Sequence, residues 1–233
     1  MGRPVHYSAE VPARCQALID MLIGHVEEDS DSQGRWGGPL KTTFLLAMAT
    51  PMLVLPIERI FKPQDPNKHF VADDIELQPE LGKRVASIFG PRREFASTPF
   101  FEPGNWTYVA SCDGFEVGRN WPPDRLNELN SKEAALAAGA TSARDVLLSL
   151  RNALAHGGVT YLDRDGGHTQ FETNMLGFAS FAAGGKAGQL RLIRTTVPGF
   201  QRFLHAWAGW LSESGVSADL ADRGPGHFSH AAE

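Results

Sequence analysis

Apolar positions recur at helical spacing near the start of the chain. From Ser8 to Glu28 they lie three and four residues apart, which predicts an amphipathic helix. A second apolar run, residues 42–61, is hydrophobic on nearly all sides and predicts a deeply buried helix. Pro51 and Pro56 should kink or break this second helix, because proline lacks the N–H group and clashes with the preceding turn.

The regular pattern is lost between residues 62 and 140, where Pro, Asp, Asn and Gly interrupt it. We interpret this region as a long irregular insertion into a helical core. Within it the sequence predicts a short helix at 79–89, a hairpin centred on Asp113 and Gly114, and a helix at 124–138.

Helical spacing returns at residues 141–158, where Ser142 and Asp145 fit a capping pair and two glycines end the helix. Three segments rich in β-branched and aromatic residues follow, and they predict two or three short strands. A final amphipathic helix is expected at residues 197–211, and residues 216–233 are expected to form a flexible tail. The three strand-like segments are VTYLD, QFETNMLGFASF and QLRLIRTTV.

The amino-acid composition indicates a globular protein. The 233 residues are 42% hydrophobic and 21% charged, which excludes a disordered or fibrous chain. We expect one mainly α domain over residues 1–215, a helical bundle with a small β element. Cys15 and Cys112 form no disulfide or metal-binding pattern, which favours a cytoplasmic protein. The longest apolar stretch is shorter than the roughly 18 residues that a membrane span needs.

The helix at 141–158 carries side chains suited to phosphodiester chemistry. His156 can take or give a proton near neutral pH, and Arg151 offers a charged fork that matches phosphate oxygens. Asn152, one turn before His156, can orient the imidazole ring or bind a ribose or phosphate oxygen. Since no carboxylate cluster accompanies them, the sequence predicts metal-free chemistry without a cofactor.

Within this predicted helix, the sequence LRNALAHGG resembles the Arg-x4-6-His signature of the HEPN superfamily, whose members are helical-bundle proteins. The resemblance covers roughly residues 8–61 and 141–213. Many members are metal-independent ribonucleases of toxin–antitoxin, abortive-infection and CRISPR-type systems. The resemblance therefore implies a bacterial endoribonuclease in which Arg151 and His156 are catalytic and Asn152 is the customary polar residue after Arg. It also implies an antitoxin as a possible protein partner.

The spacing of the two catalytic candidates raises a geometric question. Residues five apart lie about 140° from each other on an ideal helix. Arg151 and His156 converge if the Arg side chain bends round, if the last turn unwinds, or if a second copy supplies one of them. We favour a homodimer through the predicted helix at 141–158, called the motif helix below. Leu148 and Ala155 also lie off the core face of this helix, and family members commonly dimerise this way.

Charge distribution modifies the picture of an acidic protein. The net charge of −5 argues against a broad nucleic-acid coat. Residues 173–212, however, contain no Asp or Glu. We predict that Arg144, Arg191 and Arg194 bind RNA phosphates and that RNA binding weakens steeply with salt, although Arg144 is equally suited to a solvated helix surface. The alternative is a non-catalytic module that binds nucleotide, RNA or a partner protein, or a scaffold whose motif helix only forms the dimer.

Overall fold

The fold is built around a β-sheet. The computed structural model describes residues 7–29, 35–36, 40–60, 90, 93–181 and 188–212. Of these residues 57% are helical and 19% lie in strands. The expected mainly α bundle is therefore wrong, and the protein has a mixed α/β fold with a four-stranded antiparallel sheet.

Besides one 3-10 turn (Phe95–Ser97), six α-helices and four strands form the regular structure of the described residues. Their order is α1 (Tyr7–Glu28), α2 (Lys41–Ile60), β1 (Trp106–Asp113), α3 (Pro123–Leu129), α4 (Lys132–Ala140), α5 (Ala143–His156), β2 (Val159–Leu162), β3 (Met175–Phe181), β4 (Gln189–Thr196) and α6 (Val197–Leu211).

The sheet has the strand order β1-β4-β3-β2, and every neighbouring pair is antiparallel. Strands β2, β3 and β4 confirm the three segments predicted from their β-branched and aromatic content. The hairpin expected at Asp113 and Gly114 is wrong, because β1 pairs along its length with β4 instead of with the residues that follow it. The backbone hydrogen-bonding groups of β1 are thus paired with those of β4, which lies more than seventy residues further along the chain.

The two faces of the sheet bury different helices. Since side chains alternate along a strand, the neighbours Leu192 and Ile193 belong to opposite hydrophobic clusters. The larger cluster, the principal core, lies between the sheet and helices α1, α2, α5 and α6. The smaller cluster lies between the other face and α3. The strand side chains fully enclosed in the principal core are Trp106, Tyr108, Leu176, Phe178 and Ile193.

Helix α2 is continuous through both of its prolines, so of the kink or break expected there, the break does not occur. Pro56 has no N–H group to donate to the carbonyl of Met52, four residues earlier. The indole N–H of Trp207, in α6, donates to that carbonyl at 2.8 Å. A donor from another helix therefore replaces the missing one inside the core, where an unpaired carbonyl is costly.

The predicted insertion is partly integral to the fold. Its described residues supply β1 and the buried rings of Phe95 and Phe100. The helix expected at 124–138 is wrong as a single element, because it divides into α3 and α4, and the hydroxyl of Ser131 caps α4 by accepting the Ala134 N–H. The helix expected at 79–89 lies outside the described residues.

The remaining helix predictions are confirmed. Helices α1, α5 and α6 lie within one or two residues of their predicted bounds. The flexible tail predicted at 216–233 lies outside the described residues. Within the part of the chain that the structure describes, no helix is long and apolar enough to cross a membrane.

Candidate active site on helix α5

Local signals at both ends position helix α5. At the start, the Ser142 hydroxyl accepts the Asp145 N–H at 3.1 Å and donates to the Asp145 carboxylate at 2.9 Å. This reciprocal arrangement satisfies a backbone donor that the first turn leaves open. The predicted capping pair is therefore confirmed.

The end of α5 is tied to the sheet. Gly157 adopts a left-handed conformation with φ of 73°, which glycine accepts without a steric penalty. The N–H of Gly158 then donates to the Ala153 carbonyl, and the Gly158 carbonyl accepts the N–H of Ala179 in β3. A Cβ at position 158 would lie 2.2 Å from the Ala179 carbonyl oxygen. Exposed His156 is consequently presented where the helix ends against β3.

Arg151 lies on the side of α5 that faces α2. One terminal nitrogen of its guanidinium forms an ion pair with the Glu58 carboxylate. The other donates to the side-chain oxygen of Asn152 at 2.6 Å. The Arg151 side chain is only 16% exposed, and its Nε–H has no hydrogen-bond partner among the described residues.

The structure thus joins two of the three predicted catalytic residues. Arg151 and Asn152 are in contact, whereas Arg151 and His156, both within the described ranges, share no hydrogen bond or ion pair. Arg151 is held toward α2, and His156 is exposed one turn later beside β3. A single chain therefore holds the predicted proton acceptor, His156, apart from the predicted phosphate-binding residue, Arg151.

Glu58 is the site residue that sequence reasoning missed. Its signal was present, since Glu58 is the single acidic residue of a largely apolar helix. A carboxylate placed there needs a cationic partner, but the sequence does not say which arginine supplies it. The packing of α2 on α5 makes that choice.

A second polar cluster joins the first turn of α5 to the sheet. Arg191, in β4, donates to the Asp145 carboxylate at 2.9 Å. Nearby, burial raises the pKa of the Tyr108 phenol, while the Arg191 charge opposes this rise. Ser149, one turn after Asp145, is 3% exposed, and its hydroxyl has no partner within the described chain.

The arginines predicted to bind RNA do not form one surface. Arg191 lies on the α5 side of the sheet. Arg194, three positions later in the same strand, faces the other side, where it is buried and donates to the Leu129 carbonyl and to the side chain of Asn130. Desolvation lowers the pKa of Arg194. Arg144 is partly buried in the first turn of α5.

That Arg144, Arg191 and Arg194 bind RNA phosphates stays a prediction, but Arg191 and Arg194 do not share one surface. Residues an odd number apart in a strand point to opposite faces, so Arg191 and Arg194 cannot line one cleft. Arg202, in the same acid-free segment, forms a bidentate ion pair with Glu102. The described arginines of that segment are thus all bonded within the chain.

Helix α5 offers a smaller surface for dimerisation than its sequence suggested. Leu148 is partly buried and packs against the principal core of its own chain, so its position is explained without a partner. Ala155 and His156 remain exposed at the end of α5. If two copies meet through this helix, its last turn is its most exposed part.

Metal ligands and relatives give no further guidance. Within the described ranges, no group of three or more His, Cys, Asp or Glu side chains is arranged to hold a metal ion. No protein-family model, curated protein or solved structure matches the chain. The site itself is therefore the guide to its chemistry.

Proposed function

We propose that the protein is a metal-independent endoribonuclease that uses Arg151, Asn152 and His156. The observation that carries the proposal is the end of helix α5. There a guanidinium is held in place by Asn152 and Glu58, and an exposed imidazole follows one turn later on the same helix. A fixed cation and an accessible proton acceptor are the two groups that attack by an RNA 2′-hydroxyl requires.

In the proposed reaction, His156 accepts the proton of the 2′-hydroxyl while the 2′-oxygen attacks the adjacent phosphorus. The bond from phosphorus to the 5′-oxygen breaks, and the leaving 5′-oxygen takes a proton from water, while protonated His156 later returns its proton to solvent. The products are a 2′,3′-cyclic phosphate and a free 5′-hydroxyl. Arg151 stabilises the negative charge that develops on the phosphate oxygens, and Asn152 orients the guanidinium to which it is bonded.

Two chains complete the proposed site. Because Arg151 faces α2 while His156 is exposed beside β3, a homodimer that joins the ends of two α5 helices brings His156 of one copy toward Arg151 of the other. Action in bacterial toxin–antitoxin or anti-phage defence, with an antitoxin protein as regulator, is part of the same proposal and derives from the resemblance of the motif.

One observation favours a second candidate function, a non-catalytic module that binds RNA, nucleotide or a partner protein. Glu58 neutralises Arg151, and the pair is largely buried between α2 and α5. An arginine so placed can serve to join the two helices. In that case substitution of Arg151 alters stability and leaves no cleavage to be lost.

Cleavage in EDTA separates the two candidates. Folded wild-type protein is incubated with single-stranded RNA, and product ends are examined for the cyclic phosphate. We expect His156→Ala and Arg151→Ala each to lower the cleavage rate by at least about 100-fold. His205→Ala is the matched control, since His205 is also an exposed histidine on a helix, α6.

Two results contradict the proposed ribonuclease activity. If folded wild-type protein cleaves no RNA, or if His156→Ala and His205→Ala cleave at the wild-type rate, α5 is not catalytic. Retained RNA binding without cleavage supports the non-catalytic module.

A further inference from the structure

Two adjoining cavities lie beside the end of helix α5. One has a volume of about 650 Å³, and its lining includes Gly157, the residue after His156. The other, of about 870 Å³, extends toward the starts of α2 and α6. We call the two together the β2–β3 groove. The residues that line both cavities are Tyr161, Thr169, Gln170 and Phe171.

The loop between β2 and β3 carries the shared wall, and hydrogen bonds hold its backbone. The Asp163 carboxylate accepts the N–H groups of Asp165 and Gly167. Further along, the N–H of Phe171 donates to the Thr169 hydroxyl at 3.0 Å. The loop is therefore ordered by its own polar groups, without burying the Phe171 ring.

Phe171 is the conspicuous member of this wall. The residue is 81% exposed, the largest exposure among the large hydrophobic residues in the described chain. An aromatic ring held at the junction of two cavities offers a flat apolar surface for another planar group. The same groove is lined by amide side chains, which can form hydrogen bonds with the edge of such a planar group. They belong to Asn120, Gln170 and Asn174.

Charge in the groove selects among planar ligands. The ammonium group of Lys41 pairs with Glu27 at 2.7 Å, and Arg119 pairs with Glu116 at 3.1 Å. Both permanently cationic side chains in the described lining are thus bonded to carboxylates. The lining also holds the carboxylates of Asp163 and Glu172. Phosphates are therefore disfavoured inside the groove, whereas neutral rings with hydrogen-bonding edges fit its lining.

We propose that the β2–β3 groove binds unpaired bases of single-stranded RNA, with Phe171 stacking on one base. This inference rests on the proposed ribonuclease function, since it extends the site from His156 through Gly157 into the groove. The base next to the scissile phosphate occupies the smaller cavity, and Gln170 hydrogen-bonds to a base edge. Binding through stacking and amide contacts predicts a shallow dependence on salt, unlike binding through phosphates.

The test measures binding separately from cleavage. The probe is a fluorescent single-stranded 2′-O-methyl oligoribonucleotide, which lacks the attacking hydroxyl and cannot be cut by the proposed reaction. Kd is measured by anisotropy for wild type, Phe171→Ala, Phe171→Trp and Phe181→Ala. Phe181 is the matched control, because its ring is 71% exposed at the end of β3 and lines neither cavity.

We expect Phe171→Ala to raise Kd by about 10-fold, the loss typical of one base–aromatic stack. Phe171→Trp restores binding, and Phe181→Ala leaves it unchanged. A double-stranded probe of the same sequence binds more weakly, because its bases are already stacked on one another.

Three results overturn the inference: no binding of the probe by folded wild type, equal Kd values for Phe171→Ala and Phe181→Ala, or equal affinity for the duplex. These outcomes are distinct from failure of the ribonuclease proposal. A protein that binds the probe through Phe171 but cuts no native RNA contradicts only the catalytic proposal. One that cuts native RNA with unchanged affinity in Phe171→Ala contradicts only the groove.

Discussion

The carboxylate of Glu58 and the guanidinium of Arg151 join helices α2 and α5 through one ion pair inside the protein. The side chains of both residues are less than one-third exposed, so water screens their attraction only in part. The same guanidinium is the proposed phosphate-binding group. Stability and the proposed activity therefore involve one side chain, and experiments must separate the two effects.

A double-mutant cycle measures the structural part. We expect Arg151→Ala and Glu58→Ala each to lower the free energy of unfolding, with a coupling of about 1–2 kcal/mol between them. Urea unfolding of the two single variants and the double variant gives this coupling. Additive losses would mean that the pair contributes nothing beyond its separate packing.

Two serines in and before α5 provide a matched comparison of a cap with an unpaired hydroxyl. Ser142→Ala removes the cap and should destabilise the protein by about 1 kcal/mol. Ser149→Ala removes a buried hydroxyl that has no partner within the described chain, so stability should stay the same or rise by up to about 1 kcal/mol. Thermal unfolding of both variants checks this ordering. A loss at Ser149 as large as that at Ser142 would mean that the buried hydroxyl has a bonding role.

The indole of Trp207 can be tested against Pro56. Trp207→Phe should destabilise the protein by about 2–4 kcal/mol, because it removes packing volume and leaves the Met52 carbonyl without a donor. In a Pro56→Ala background the same substitution should cost less, since the backbone N–H that alanine restores at this position can bond to Met52 along the helix. Urea unfolding of the four chains gives the difference. Equal costs in both backgrounds would remove the role assigned to the indole N–H.

The two buried thiols should make the protein sensitive to alkali. Burial raises the pKa of both Cys15 and Cys112 above the ordinary thiol value. The unfolded chain therefore loses these protons first. Their stabilising contribution is complete below about pH 8.5, the ordinary value, and is lost as pH rises through the raised pKa values.

Urea unfolding between pH 7 and pH 10 measures this effect. The wild-type free energy of unfolding should fall more steeply above about pH 8.5 than that of a Cys15→Ala, Cys112→Ala double variant. Parallel curves would show that the thiols do not cause the alkaline loss. Tyr108, whose pKa burial also raises, should add a further decline at higher pH in both proteins.

Local signals made the motif helix predictable. The Ser142–Asp145 cap and the glycine at position 157 act within a few residues of the backbone they stabilise. Continuity of α2 was not predictable in this way. The donor that replaces the missing Pro56 N–H comes from Trp207, 155 residues after the Met52 carbonyl that it satisfies.

The fold class was misjudged for a related reason. Strand β1 lies in the segment interpreted as an insertion, where the sequence predicted strand structure only as part of a local hairpin, whereas its partner β4 is distant in sequence. Pairing of this kind depends on the assembled sheet and leaves little local trace. By contrast, the sequence alone could have placed Arg191 and Arg194 on opposite faces of the sheet. Side chains alternate along a strand, and the sequence already predicted β4 as a strand.

The bond between Trp207 and Met52 has a consequence for synthesis on the ribosome. Helices α1 and α2 leave the exit tunnel before α6, but the principal core that they enter includes α6, whose indole completes α2. Until α6 has left the tunnel, the apolar faces of α1 and α2 lack it as a packing partner. Closure of the principal core therefore waits for a helix that is synthesised more than 130 residues after α2.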